Sequence, residues 1–152
     1  MNKEYLRLEL EKSKQTTLQF FDLPLDDLEK RYAPTKWNIR QILHHLADAE
    51  TILYERIRRV ISGPQQVLWT FNQDRFCEGL NYNEFPLAIN KELFNATRRA
   101  IIYVLEQHYD NKKELIFIHS DTGKRTLGEE FAKVAWHNEH HLNYIRQALK
   151  FG

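Results

Sequence analysis

The sequence has very little cysteine, proline or glycine. Its one cysteine, Cys77, excludes an intramolecular disulfide. The four prolines and five glycines lie between apolar-patterned segments, a distribution that favours helices. No run approaches the ~20 apolar residues of a membrane-spanning helix, and the polar first residues do not resemble a signal peptide. We therefore expect a cytoplasmic protein that has no membrane partner.

A large excess of either charge is also missing. The chain carries 22 Lys and Arg against 21 Asp and Glu, a formal net charge of +1. Proteins that bind nucleic acid present a strongly basic surface, so nucleic acid is not an expected partner. A length of 152 residues, 42% of them hydrophobic, suits a single domain spanning residues 1–152 with its own core.

Apolar residues recur at helical spacing in four segments. The predicted helices span about residues 3–21, 38–61, 86–108 and 126 to the chain end. Asn38 with Gln41, and Thr126 with Glu129, have the spacing of helix-starting capping boxes. The expected fold is all-α, a four-helix bundle.

Residues 65–85 separate the second and third helices. Glycine and asparagine interrupt the pattern there, which predicts a long, partly ordered crossover lying over one end of the bundle. The apolar run at 115–118 could form a strand, but it has no obvious partner. We therefore treat that run as part of a connector.

Five of the seven histidines form two clusters. On a helical wheel, His45 lies at the edge of the apolar stripe of the second helix, and His44 lies on nearly the opposite side. On the last helix, His137 and His141 are four residues apart and share a face, while His140 points away. The wheel thus selects one histidine from one helix and two from another.

Three imidazoles that converge from two helices can hold one divalent transition metal, with zinc, nickel and iron as the candidates. A set of three protein ligands leaves a coordination position for water or substrate. The competing interpretation is that these histidines are partly exposed or hydrogen-bonded at the core edge. Asp48 and Asn138 are candidates for orienting a ligand imidazole. A surface carboxylate and an interhelix hydrogen bond are the simpler roles for these two residues.

Two histidine segments carry a family resemblance. Residues 36–50 (KWNIRQILHHLADAE) and 136–145 (WHNEHHLNYI) resemble the tryptophan-led and last-helix segments of the DinB-like (DNA-damage-inducible) superfamily. Residues 119–127 are similar to the loop that leads into that helix. The likeness runs from about residue 23 to the C-terminus. It is strongest with the bacillithiol-transferase-like and metal-dependent-hydrolase subgroup, apart from Tyr144, where glutamine or histidine is frequent.

The resemblance implies an up-up-down-down style bundle with a histidine triad at His45, His137 and His141. It also implies thiol transfer as one activity, in which a bound metal activates a small-molecule thiol that attacks a small electrophile. Residues 69–82 would then form a pocket wall. Family members often form homodimers, so a homodimer is possible here.

Two other functions remain open. A metal-dependent hydrolase needs a general base near the metal. Asp48, Glu50 and Glu139 are the carboxylates close in sequence to a ligand, and the wheel turns none of them convincingly inward. The third possibility is a non-catalytic metal-binding stress-response dimer. His119 either borders the pocket or fixes its own turn, and the turn is favoured.

Overall fold

The computed structural model describes residues 2–152 and shows a predominantly helical chain. Within these residues, four long helices are accompanied by two short helices and three short strands. In chain order, the elements are α1 (Lys3–Phe20), α2 (Leu25–Leu28), α3 (Ile39–Ser62), β1 (Val67–Leu68), α4 (Gln73–Gly79), α5 (Leu87–Lys112), β2 (Ile116–His119), β3 (Gly123–Thr126) and α6 (Leu127–Phe151). In the part of the chain described, no helix is both long and apolar enough to cross a membrane.

The capping residues fix where two of the long helices begin. The Asn38 side chain accepts a hydrogen bond from the Gln41 backbone N–H, and the Gln41 side chain accepts from the Asn38 N–H, both at 2.8 Å. This confirms the capping box predicted for α3. At α6, the Thr126 hydroxyl oxygen accepts from the Glu129 N–H at 3.2 Å. The Glu129 carboxylate accepts from that hydroxyl at 3.2 Å. In the predicted capping box it would accept from the Thr126 backbone N–H instead.

Contacts between the long helices define the bundle's topology. Ion pairs Lys3–Asp110 at 3.1 Å and Lys91–Asp22 at 2.8 Å join opposite ends of α1 and α5, which are therefore antiparallel. Asn90 bonds His44, and Arg98 bonds Glu50, so α5 runs parallel to α3. The contact of Arg56 with Glu130 and that of His45 with His137 make α6 antiparallel to α3.

The resulting order is up-down-down-up, so the up-up-down-down order implied by the family resemblance was wrong. Helices α5 and α6 each pack against both α1 and α3, so α1 and α3 are diagonal neighbours. Whether two successive helices run parallel or antiparallel depends on whether the connection between them crosses the length of the bundle. The apolar pattern within each helix does not encode this choice.

The parallel arrangement of α3 and α5 explains the long crossover. The 24 residues of α3 span about 36 Å, and the chain must return this distance before α5 can begin. The return carries β1 and α4, so it is more regular than the partly ordered segment predicted at 65–85. The return segment runs along α3. The Trp69 carbonyl accepts a hydrogen bond from Arg56, the Phe71 ring stacks beside His45, and the Tyr82 hydroxyl donates to Asp48.

The expectation that 115–118 has no strand partner was also wrong. Strand β2 lies between β1, which is parallel to it, and β3, which is antiparallel. The β2–β3 hairpin turns at Gly123, whose φ of +80° is in the region that favours glycine. The partner strands were missed because one contains two residues and the other, Gly123–Thr126, has little apolar character.

A polar layer divides the hydrophobic core into two clusters. One cluster contains Leu10, Ile57 and Phe131, and the other contains Leu43, Phe94 and Leu142. On each long helix, buried polar residues separate the part that belongs to one cluster from the part that belongs to the other. These are Ser13 and Thr17 on α1, Glu50 on α3, Arg98 on α5 and Asn138 on α6. The candidate histidines lie close to this layer in sequence on α3 and α6.

The α3 capping box gives a stability prediction. Replacing Asn38 by Ala removes the acceptor for the Gln41 N–H, and we expect a loss of about 1 kcal/mol in the free energy of unfolding. Urea denaturation followed by circular dichroism measures the loss. Asn2→Ala is the comparison variant, since the Asn2 cap of α1 is exposed whereas Asn38 is buried, so the loss of the Asn2 cap should cost less. Equal losses for both variants would contradict the prediction.

Candidate metal centre

The histidine cluster forms where α3 and α6 pack against each other. His45 lies in the second turn of α3, behind the capping box, and is fully buried. His137 and His141 are one helical turn apart in α6, so their rings project from the same face toward α3. The antiparallel packing of the two helices brings all three rings to one point.

The three imidazoles are close enough to share one ion. His45 Nε2 is 3.0 Å from His137 Nε2. The ring centroid of His141 is 4.6 Å from that of His45 and 4.6 Å from that of His137. One nitrogen from each ring lies within 4.8 Å of the others. This cluster confirms that the residues selected by the helical wheel converge in space.

Burial keeps these histidines neutral. It lowers the pKa of His137 to about 3 and that of His141 to about 4, with neighbouring positive charge adding to each shift. The pKa of His45 falls well below its usual value, first through burial and then through the facing His137 and His141. Neutral imidazole is the form that binds a metal, so the ligands need not lose protons near pH 7.

The cluster fits a divalent transition metal. Two imidazoles on one tetrahedral ion, with metal–nitrogen bonds of ~2.0–2.1 Å, place their nitrogens about 3.3 Å apart. The observed 3.0 Å between His45 and His137 is close to this value. Among the described residues, His141 Nδ1 is buried without a hydrogen-bond partner. A buried imidazole lone pair that has no hydrogen-bond donor is costly, and a cation would satisfy it.

A cleft of about 500 Å³ opens beside the cluster, with His137 and His141 in its wall. It is large enough for a small-molecule substrate. Its other walls come from the segment before α3, the start of α4 and the exposed edge of α6. Representative lining residues are Tyr32, Lys36, Trp37, Asp74, His140 and Tyr144.

Comparison with known proteins identifies the family of this chain. The sequence model of the DinB superfamily matches residues 9–145, which is most of the chain. This chain belongs to the DinB superfamily. Among curated relatives, it is 29% identical to an Oceanobacillus iheyensis protein over 85% of this chain and 74% of that protein. It is 27% identical to a Halalkalibacterium halodurans protein over 87% of this chain and 78% of that one. Both relatives carry the name "Putative metal-dependent hydrolase".

A solved structure shares the fold of this DinB superfamily member. YfiT from Bacillus subtilis superposes with a TM-score of 0.89, covering 97% of this chain and 86% of that chain at 21% identity. Its description calls YfiT a probable metal-dependent hydrolase with an unusual four-helix bundle topology. The likeness shows that the four-helix bundle predicted from the sequence is the correct fold class.

The two neighbouring histidines excluded by the wheel have different environments. His140 is exposed, and its ring stacks on Trp136 with centroids 5.0 Å apart. His44 is fully buried, so its predicted solvent-facing position was wrong. Tyr82 of the crossover covers it, and Asn90 Nδ2 donates to its Nδ1 at 2.7 Å. The wheel could not show this because the cover comes from a segment distant in sequence.

Asp48 and Asn138 have partners other than the three histidines. The Asp48 carboxylate accepts a hydrogen bond from the Tyr82 hydroxyl, which ties the crossover to α3. Asn138 accepts from Arg98 Nη2 at 2.5 Å and donates to the Thr17 hydroxyl at 3.0 Å, as expected for an interhelix hydrogen bond. Neither residue has a hydrogen bond to a ligand imidazole in these contacts, so their role in orienting a ligand stays a prediction.

The carboxylates considered as a general base are also engaged elsewhere. Glu50 forms a buried ion pair with Arg98, and Glu139 pairs with Arg146 at 2.6 Å. Sequence reasoning missed Asp74, which reaches the cleft from the first turn of α4. No motif marks Asp74, because only the path of the crossover brings it to the histidines.

Of the pocket wall predicted at 69–82, Gln73 and Asp74 line the cleft. Phe71 stacks beside His45 with centroids 6.2 Å apart. Trp69 instead lies on a different cleft, and Tyr82 contacts His44. Tyr144, the departure from the family pattern, stacks on Tyr32 with centroids 4.2 Å apart and so forms part of the wall.

The low histidine pKa values predict acid sensitivity of the metal-free protein. Below the ordinary pKa of 6.5 the unfolded chain binds protons that the folded chain excludes until about pH 3 to 4, so stability falls as pH drops through this range. We expect a loss of at least about 2 kcal/mol between pH 6.5 and 4.5, measured by urea denaturation.

Variants separate this effect from carboxylate titration. His137→Ala removes one low-pKa group and should reduce the loss, whereas His140→Ala, on the exposed side of the same helix, should change it much less because burial is the larger cause of the low pKa values. An identical pH dependence in wild type and His137→Ala would contradict the prediction.

Proposed function

We propose that this protein is a metal-dependent enzyme that transfers a small-molecule thiol to a small electrophile. The observation that supports the proposal is the convergence of three neutral imidazoles, from His45, His137 and His141, beside an open cleft. Closed structural zinc sites usually have four protein ligands, often cysteines, whereas a three-ligand site leaves a position for chemistry.

The three histidines would hold the ion, with zinc, nickel or iron as candidates. When bound, a divalent ion would supply positive charge that lowers the pKa of a thiol or of water, which would make either one a nucleophile near pH 7. The residues of the chain hold the ligands in their neutral form and limit solvent around them. Trp37 and Phe71 contribute to this by packing at 5.1 and 6.2 Å from the His45 ring.

The chain does not supply a good thiol nucleophile of its own. Cys77 is buried, and burial raises the pKa of its thiol. Its sulfur accepts a long hydrogen bond of 3.7 Å from Gln41. A reactive cysteine requires a lowered pKa and access to substrate. The thiol in the proposed reaction therefore comes from a small molecule bound in the cleft.

The cleft suits an aromatic or apolar electrophile flanked by polar groups. The stacked pair Tyr32–Tyr144 and the ring of Trp37 provide flat apolar surface. Lys36 and Asp74 add one charge of each sign at the wall. Aromatic surface with a few polar groups is the usual composition of small-molecule sites.

Hydrolysis is the second candidate function, and Asp74 is the observation that favours it. This carboxylate lines the same cleft as two of the ligands, so it could take a proton from water during attack on an ester or amide. The names of the two relatives also describe metal-dependent hydrolases. Thiol transfer would not require Asp74, because the positive charge of a bound ion would already favour the thiolate form.

Metal content is the first test of the proposed site. We expect near-stoichiometric metal in the tag-free protein by plasma mass spectrometry, and its loss in His45→Ala, His137→Ala and His141→Ala. His140→Ala is the matched control, because His140 is exposed on the same helix and outside the cluster. His44→Ala is unsuitable as a control because it removes the partner of Asn90. Metal retained in all three ligand variants would refute the site.

The two reactions are separated by assaying the metal-loaded protein with different substrates. We expect turnover of a low-molecular-weight thiol with an aromatic electrophile, little turnover of esters and amides, and less than a twofold effect of Asp74→Asn. Ester or amide hydrolysis that falls at least ~100-fold in Asp74→Asn, the range of a lost general base, would instead establish the hydrolase. No turnover in either assay would favour the non-catalytic metal-binding role.

A further inference from the structure

Arg98 is a fully buried charge on α5, a long helix that supplies no ligand to the metal centre. The residue lies near the middle of α5 and has no solvent exposure. Its guanidinium uses every N–H donor. Nε and Nη2 bond the two oxygens of Glu50, Nη2 also bonds Asn138, and Nη1 bonds the Leu10 carbonyl and the Ser13 hydroxyl.

Two of these bonds reach the segments that carry the histidine ligands. Glu50 follows His45 by five residues in α3. Asn138 is adjacent to His137 and precedes His141 by three residues in α6. A single planar group therefore connects the α3 side of the cluster to the α6 side.

The chemistry of the guanidinium makes this connection rigid. Its donors lie in one plane at fixed angles, and it binds Glu50 through two parallel bonds. Sliding α3 or α6 along the bundle would break a bond to a buried charge, which is costly. The contact thus constrains how far His45 can move from His137.

We propose that Arg98, acting through Glu50 and Asn138, is a positioning residue that sets the spacing of the three histidines for one metal ion. This inference depends on the metal site of the proposed function, and it adds a determinant outside the ligands. Arg98 does not touch the ion or a substrate. It fixes the relative position of α3 and α6.

A second buried pair between the same helices provides a matched control. Arg56 Nη1 lies 3.8 Å from Glu130, too long for a hydrogen bond, and Arg56 Nε has no hydrogen-bond partner among the described residues. Arg56 follows His45 by 11 residues, or about 16 Å along α3. This pair joins α3 to α6 with poorer geometry and at a distance from the ligands.

The experiment measures Co²⁺ binding by the full-length protein through visible absorption and titration, without any activity assay. The test variant is the double substitution E50M/R98M, which removes both charges and leaves neither uncompensated. Replacing a buried pair by apolar residues of similar volume commonly preserves folding. Asn138→Ala removes the bond between Arg98 and α6, together with the bond from Asn138 to Thr17 on α1, and serves as the second test variant. R56M/E130M is the control, and thermal melts of all variants report stability.

We expect E50M/R98M and Asn138→Ala to bind Co²⁺ at least ~10-fold more weakly than wild type, with altered visible bands, while the control stays within about twofold. Unchanged affinity and spectrum in the folded test variants, or an equal loss in the control, would overturn the inference. If E50M/R98M does not fold, Asn138→Ala decides. Absence of Co²⁺ binding in wild type would refute the metal site itself, and the inference with it.

Discussion

The guanidinium of Arg98 is the contact that joins all four long helices. It bonds Leu10 and Ser13 on α1, Glu50 on α3 and Asn138 on α6, from its own position on α5. Burying an isolated charge costs several kcal/mol, so this group is tolerated only because every donor has an acceptor. Satisfying five donors at once leaves little freedom in helix register. The apolar clusters on either side supply burial energy, but apolar contacts are less selective about register than directional hydrogen bonds.

The parallel course of α3 and α5 creates much of the environment of the histidines. It forces the chain to return along α3, and this return covers both flanks of the helix. On one flank Tyr82 buries His44, and on the other Phe71 packs beside His45. The return also carries Asp74 to the cleft. The crossover between α3 and α5 therefore provides part of the wall of the site.

Burial gives the histidine cluster its chemical character. The rings lie at a helix interface with few ways to stabilise a proton, so they stay neutral well below their ordinary pKa. Neutral, converging nitrogens with little hydrogen bonding of their own suit a cation. The suitability of the cluster for a metal and the expected acid sensitivity of the metal-free fold thus rest on one desolvated arrangement.

The sequence alone determined the four long helices, the start of α3 and the choice of His45, His137 and His141, because helical periodicity and capping are local properties of the chain. The likeness to the DinB superfamily also came from contiguous segments. The tertiary structure decided the up-down-down-up order, the pairing of β2 and the burial of His44. It also decided the partners of Asn138 and the approach of Asp74. Each of these depends on contacts between residues distant in the chain, and the energy of such contacts is fixed only when helix directions and the crossover path are known.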